Sequence, residues 1–215
     1  MADPALSERA RLLDYLRTRA AGLDAPRLRA RVRAAAAEFE AALAGLDEGE
    51  ARRPMRAGEW TVAQVVDHVA QSTVRSAEEL RHLRAGRRPP GPPIYEALLS
   101  GAAHRVPWNE LLDGLRDATA ALDDALSDQT VTHGVITRPV TAPAVLVINA
   151  GKAGGAPEIF TAELAWPEYA LVVRLHFLDH RTQVRALRAA GPRAREPRAA
   201  PGTSPVPGGR LEVDQ

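Results

Sequence analysis

Two histidines, His176 and His180, are four residues apart near the end of the chain. Residues four apart on a helix lie on the same face, one turn above the other. Two neutral imidazoles in that arrangement can bind one metal ion. A metal site needs a further ligand, and the best candidate is His68, more than one hundred residues upstream. We therefore expect the other helices to bring His68 against His176 and His180.

The neighbours of the histidine pair are mostly apolar: Val172, Val173, Leu175, Phe177 and Leu178. Two unpaired polar rings in apolar surroundings would cost free energy, and a shared ion would satisfy both. The spacing alone leaves a second interpretation open. In it, the two histidines have a structural role and form hydrogen bonds with the backbone, with Asp67 or with Asp179.

Composition favours a helical domain without charged macromolecular partners. The 215 residues are 45% apolar but only 4% aromatic. Alanine and leucine must then fill most of the core, which favours close-packed helices. The 28 Lys and Arg residues nearly balance the 27 Asp and Glu residues. This balance gives no overall attraction to nucleic acid or to an anionic membrane.

The chain has no cysteine. Disulfides, thiolate ligands and a cysteine nucleophile are therefore excluded, and any metal must be held by nitrogen and oxygen donors. The first twenty residues lack the continuous apolar core of a signal peptide, and no apolar run is long enough to span a bilayer. We expect a cytoplasmic protein.

Apolar residues at helical spacing predict five helices. Predicted N-caps are Ser7 and Asp24, the third helix starts at Thr61 or Glu59, and proline opens the second and last helices. The predicted spans are Ser7–Ala20, Ala25–Leu46, Thr61–Ala85, Trp108–Leu126 and Trp166–Ala190. The prolines and glycines of Gly86–Pro93 predict a long non-helical connection between the third and fourth of these helices.

The stretch 127–165 has the least regular pattern. β-Branched residues predict extended segments at 135–141 and 144–148, which either pair as a hairpin or pack as an arm. The glycine-rich residues 151–155 lack the remainder of a phosphate-loop motif. We therefore interpret them as a flexible loop that could cover a pocket as a lid. Residues 191–215 have too few large apolar side chains to form a core, which predicts a disordered tail.

Two short motifs resemble those of the DinB/YfiT-like metal-binding family. Trp60-Thr-Val-Ala-Gln-Val-Val-Asp-His68-Val resembles the opening of that family's second helix, and His176-x-x-x-His180-x-x-Gln183 resembles its closing motif. The resemblance implies an all-α, DinB-like four-helix bundle at residues 23–190. An extra helix at 1–22 precedes it, a short extended or hairpin segment comes before its last helix, and the tail at 191–215 follows.

The resemblance also implies a site and a chemistry. A divalent ion, zinc or nickel, would be held by His68, His176 and His180, with coordination positions left open for a small-molecule substrate. Helical spacing then makes Gln64, Gln71, Arg75 and Gln183 candidates for supporting the ligands or binding substrate. The remaining histidines, His82, His104 and His133, match no family position and are interpreted as surface or loop residues.

The family includes thiol S-transferases that use bacillithiol or mycothiol, and a mycothiol-dependent maleylpyruvate isomerase. The resemblance therefore favours a metal-dependent thiol S-transferase with a low-molecular-weight thiol as cosubstrate. An arginine-rich, nearly lysine-free composition suggests a GC-rich genome, which favours mycothiol. The alternatives are an isomerase or hydrolase at the same site, and a non-catalytic bundle that acts as a binding or assembly module. The extra segments are expected to build a substrate pocket or the contact of a homodimer.

Overall fold

The computed structural model describes residues 4–54, 60–127, 139–148 and 158–189. These residues are mostly helical, with one short hairpin, which confirms the predicted fold class. The elements in chain order are α1 (Pro4–Ala21), α2 (Ala25–Leu43), α3 (Glu48–Ala51), α4 (Val62–Arg84), a 3₁₀ turn (Ala102–His104), α5 (Trp108–Ser127), β1 (Thr141–Ile148), β2 (Glu158–Ala165) and α6 (Trp166–Ala189).

Four long helices form the predicted bundle. Helix α2 packs against α5 and α6, and α4 packs against the same two helices, which closes the ring. The rings of Phe39 on α2 and Phe177 on α6 are both fully buried, with centroids 6.1 Å apart. The core holds α4 against α6, the two helices that carry the three candidate ligands.

Local hydrogen bonds explain where the bundle helices begin and end. Helix α4 begins with a capping box, in which the Thr61 hydroxyl accepts from Gln64 N–H and the Gln64 carboxamide accepts from Thr61 N–H. Helix α2 begins at the predicted cap, Asp24. It ends at Leu43 rather than at the predicted Leu46, and Gly45 follows with a φ of 77°, a left-handed conformation that stops a helix.

Helix α1 begins at Pro4, so Ser7 lies within the helix and the prediction that it is the N-cap is wrong. The helix packs on α6 and contributes the fully buried Leu16 to the same hydrophobic core as the bundle. At its outer side Arg9 pairs with Glu158 and lies over the ring of Phe160, which links α1 to β2.

The predicted hairpin is present, but its strands are not the two predicted segments. One strand, β1, pairs antiparallel with β2, in a register that sets Thr141 opposite Ala165 and Ile148 opposite Glu158. Residues 135–138, the glycine-rich loop at 151–155 and the tail at 191–215 lie outside the described residues. Strand β2 ends at Ala165 and α6 begins at the next residue, so the hairpin leads directly into the helix that carries His176 and His180.

The connection from α4 to α5 is non-helical from Arg87 to Gly101, as the run of prolines predicts. Its last part is held to the body by Arg52, whose guanidinium donates to the carbonyls of Ala103 and Val106. The helices within the described ranges are all too short or too polar to cross a membrane.

Candidate metal centre

Three histidine side chains meet between α4 and α6. His68 lies in the second turn of α4, and His176 and His180 lie one turn apart on α6. The Nε2 atom of His176 is 3.1 Å from that of His68 and 3.0 Å from that of His180. The three ring centroids are 4.4–5.1 Å apart. Helix packing therefore joins the residues that the sequence separates.

These distances suit one shared ion. With metal–nitrogen bonds of about 2.0–2.1 Å, two ligands of the same ion have nitrogens roughly 2.9–3.4 Å apart, for octahedral to tetrahedral angles. The two Nε2 separations measured from His176 fall in that range. Within the described part of the chain these histidines are the group of potential ligands that lie close enough to hold a metal ion.

Hydrogen bonds at the far side of two rings fix their tautomers. His68 Nδ1 lies 3.1 Å from the carbonyl oxygen of Leu98, and His180 Nδ1 lies 2.7 Å from Oε1 of Gln183. Because both partners are acceptors, both Nδ1 atoms carry the proton and both Nε2 atoms present a lone pair. These lone pairs point at His176 Nε2, where one proton could satisfy only one of them. A cation would satisfy both.

The site also favours neutral imidazoles, the form that binds metals. Burial is the main cause of the shift in each ring. Burial, followed by the nearby charge of His180, lowers the pKa of His68 to about 4. Burial and the charges of the other two rings hold the pKa of His176 well below its ordinary value. Burial likewise lowers the pKa of His180, although its bond to Gln183 opposes the shift.

Asp67 supports the site indirectly. Its buried carboxylate accepts from the Ser100 hydroxyl at 2.6 Å and from Gly101 N–H at 3.0 Å. These two bonds fix the connection next to Leu98, whose carbonyl orients His68. The carboxylate of Asp67 is therefore bonded to the connection between α4 and α5. In the alternative in which the histidines have a structural role, Asp67 was expected to bond to a histidine.

The histidine cluster opens into a cavity of about 700 Å³. Helices α4 and α6 form its base, the connection between α4 and α5 forms one wall, and β1 forms another. A cavity of this size accommodates a small molecule, and it places any such molecule next to the histidine Nε2 atoms.

A polar cluster lies in the same cavity, away from the histidines. Arg75 donates from Nε to Glu79 at 2.6 Å, and the Tyr169 hydroxyl donates to the same carboxylate. Burial and the charge of Glu79 raise the pKa of Tyr169, which keeps the phenol protonated. The sequence contained a signal for Tyr169, because it lies seven residues before His176 and therefore on the same helix face.

The four predicted supporting residues lie in different surroundings. Gln183 contacts His180 directly, and Arg75 lines the cavity but is paired with Glu79. Gln64 caps the start of α4, and its amide nitrogen lies 3.5 Å from His104. Gln71 is exposed and lines a groove next to the cavity, with which that groove shares Arg75, Ile94 and Leu98.

The other histidines are apart from the cluster. His104 is exposed in the 3₁₀ turn, and His82 is half-buried near the end of α4, where it lines another groove. His133 lies outside the described residues.

Comparison with known proteins identifies the family. The model of the mycothiol maleylpyruvate isomerase N-terminal domain matches residues 32–151, more than half of the chain. His68 lies within the matched span, whereas His176 and His180 follow it. No curated protein and no solved structure matches the chain. The bundle, the histidine cluster and this match together show that the chain belongs to the family of the mycothiol maleylpyruvate isomerase N-terminal domain, within the DinB-like superfamily.

Proposed function

We propose that this protein is a metal-dependent thiol S-transferase that uses a low-molecular-weight thiol such as mycothiol. His68, His176 and His180 hold a divalent ion, zinc or nickel. The observation that carries the proposal is the convergence of three Nε2 atoms, 3.0–3.1 Å from their central member, at the base of a cavity of about 700 Å³.

The chemistry follows from what the chain has and lacks. Because the chain contains no cysteine, the reacting thiol must arrive as a cosubstrate. A divalent ion lowers the pKa of a bound thiol and so supplies a nucleophile near neutral pH. In the transfer, the thiol sulfur forms a bond to an electrophilic carbon. The bond from that carbon to its leaving group breaks, the electron pair departs with the leaving group, and the thiol proton is lost to solvent.

The residues around the cluster have defined tasks in this proposal. Leu98 and Gln183 keep the Nδ1 protons of His68 and His180 in place, so that both Nε2 atoms remain available. The ring of Trp60 lies beside His68, with centroids 5.0 Å apart, and limits the access of water from that side. Arg75 and Gln183 line the cavity and are the predicted supporting residues best placed to contact a substrate.

An isomerase is the second candidate, because the family model that matches the chain is named for one. It would use the same cavity and the same thiol, with the thiol recovered after each turnover. A hydrolase at this site and a non-catalytic bundle that acts as a binding or assembly module are further alternatives. The homodimer and the cytoplasmic location remain predictions, and light scattering after size-exclusion chromatography would test the first.

Elemental analysis tests the metal site. We expect about one equivalent of zinc or nickel in the untagged wild-type protein and a large loss in His176→Ala. His82→Ala is the matched control, because His82 lies on α4 outside the cluster, and it should retain the metal. Absence of metal in the wild type, with none taken up on titration, would refute the proposed site.

A second assay separates the reactions. Incubation with mycothiol and an electrophile should give a stable thioether for a transferase, with one thiol consumed per product. An isomerase would convert its substrate without net loss of thiol. A protein that binds metal but turns over neither kind of substrate would support the non-catalytic alternative.

A further inference from the structure

The cavity beside the histidine cluster has a wall that the metal-site proposal does not use. On β1, Ala142, Ala144 and Leu146 are buried against the body. Alternate residues point to the other face of a strand, and Pro143, Val145 and Val147 on that face line the cavity together with Ala144. Val147 is 52% exposed, which is high for a large apolar side chain on a packed hairpin.

The connection between α4 and α5 provides a second apolar surface. Ile94, Tyr95 and Leu98 line the same cavity, and Ile94 and Tyr95 are 40% and 58% exposed. The two walls are joined, since the Tyr95 hydroxyl lies 2.7 Å from Oγ1 of Thr161 on β2. Exposed apolar side chains from two distant segments thus meet at one cavity, a pattern typical of a ligand groove.

The charges around the cavity disfavour an anionic ligand. Among the described residues that line the cavity, Arg75 is the one arginine or lysine. Its Nε is bonded to Glu79, and one terminal nitrogen donates to the carbonyl of Pro90 at 3.1 Å. Glu79, Glu96 and Asp179 contribute three carboxylates to the same lining. Away from the ion that the histidines would hold, a ligand carboxylate would therefore meet the carboxylate of Glu96 and an arginine that is already paired with Glu79.

We propose that the groove between β1 and the connection is the binding site for an uncharged, apolar electrophile, whose reactive carbon faces the histidine cluster. The role of that ligand as a reactant rests on the proposed function, whereas its binding to the groove does not require the metal. This assignment favours transfer of the thiol to an apolar acceptor over isomerisation of a dicarboxylate.

Two fluorescent dyes with the same ring system test the inference on the purified protein, measured with and without a chelator so that binding of the sulfonate to an ion is recognised. N-Phenyl-1-naphthylamine is uncharged, and 8-anilinonaphthalene-1-sulfonate carries a sulfonate. We expect the uncharged dye to bind about tenfold more tightly, because the sulfonate would face the carboxylates. Equal or tighter binding of the sulfonated dye would overturn the proposal.

Matched serine substitutions locate the dye. Val147→Ser should weaken binding of the uncharged dye by about fivefold through loss of apolar contact. Val74→Ser is the control, because Val74 is 44% exposed but does not line this cavity. Both positions are exposed, so both variants should fold. Equal effects of the two substitutions would overturn the proposal, as would no effect of Val147→Ser. Metal content measured on the same samples separates failure of the groove from failure of the metal site.

Discussion

At the residue scale, the Nδ1 atoms of His68 and His180 control what their Nε2 atoms can do. His180 presents its Nε2 lone pair because the carboxamide oxygen of Gln183 accepts a hydrogen bond from Nδ1–H. Replacing that acceptor by an apolar side chain removes the bond that selects the tautomer and orients the ring. Outer contacts of this kind affect metal affinity nearly as strongly as some ligands do.

Gln183→Leu should therefore weaken metal binding by about 10–100-fold. Competition with a chromogenic chelator would measure the affinity. Gln71→Leu makes the same change on α4 at an exposed position that does not line the cavity, and its affinity should equal that of the wild type. Wild-type affinity in Gln183→Leu would show that the bond to His180 is dispensable.

Asp67 acts on the site through the backbone of the connection. Asp67→Asn keeps the size of the side chain but replaces one carboxylate oxygen by an NH₂ group. That group cannot accept the hydrogen bond that Ser100 or Gly101 donates to the carboxylate. The shifted connection should misplace the Leu98 carbonyl and weaken metal binding by about tenfold. Ser100→Ala removes one of the two bonds and should show a smaller loss.

Global destabilisation is the competing explanation for such a loss, and Asp123→Asn controls for it. This variant makes the same chemical change at an ion pair between α5 and α2, remote from the histidines. It should lower stability without changing metal affinity. Equal affinities in Asp67→Asn and Asp123→Asn would contradict the role assigned to Asp67.

At the element scale, an ion pair joins two bundle helices. Arg29 on α2 donates to Asp123 on α5 through Nε at 2.8 Å and through a terminal nitrogen at 2.5 Å. The hydrogen bond from Arg29 lowers the pKa of Asp123 below its ordinary value of 3.8. A carboxylate with a lowered pKa in the folded state stabilises the fold above its ordinary pKa. That contribution is lost as the pH falls through the lowered value.

Asp123→Asn should therefore reduce the free energy of unfolding by about 1 kcal/mol at pH 7, a modest value because the pair is partly exposed to solvent. The difference from the wild type should stay constant from pH 8 to pH 5 and shrink below pH 4. Urea denaturation at pH 7 and pH 3 would measure it. A difference that is as large at pH 3 as at pH 7 would exclude the ion pair as its cause.

Local interactions explain the strand that was not predicted and the surroundings of Gln64. Strand β2 contains alanine and glutamate, which are common in helices, and it becomes a strand because it pairs along its length with β1. Gln64 lies one turn before His68, so helical spacing favoured it as a supporting residue. Its position at the third residue of α4 instead commits its carboxamide to the capping box.

At the scale of the whole molecule, composition and apolar stripes predicted close-packed helices, and the family resemblance supplied the four-helix bundle. Spacing alone also predicted that His176 and His180 share a face. It could not predict the contact with His68, which depends on how α4 packs on α6. That contact was expected because a metal site needs a further ligand, and the family resemblance supported it. The apolar groove could not be predicted from the sequence, because its shape depends on the register of β1 and on the path of the connection between α4 and α5.

Helix α1 is extra to the four-helix bundle, yet it shares the bundle's core. Leu16→Ala should reduce the free energy of unfolding by about 2–4 kcal/mol, the usual cost of a cavity at a fully buried leucine. Leu99→Ala is the control, because Leu99 is 43% exposed, and it should change stability by less than about 0.5 kcal/mol. Similar losses in both variants would argue against a structural role for α1.

The direct passage from β2 into α6 sets a limit on how this protein can be re-engineered. With no linker residue between Ala165 and Trp166, a residue added to or removed from β2 changes where α6 begins relative to the hairpin, and the same change in the first turn of α6 rotates the rest of the helix by about 100°. Such a change would turn His176 and His180 away from His68. Libraries aimed at new acceptors should therefore vary side chains on β1 and keep the length of β2 fixed.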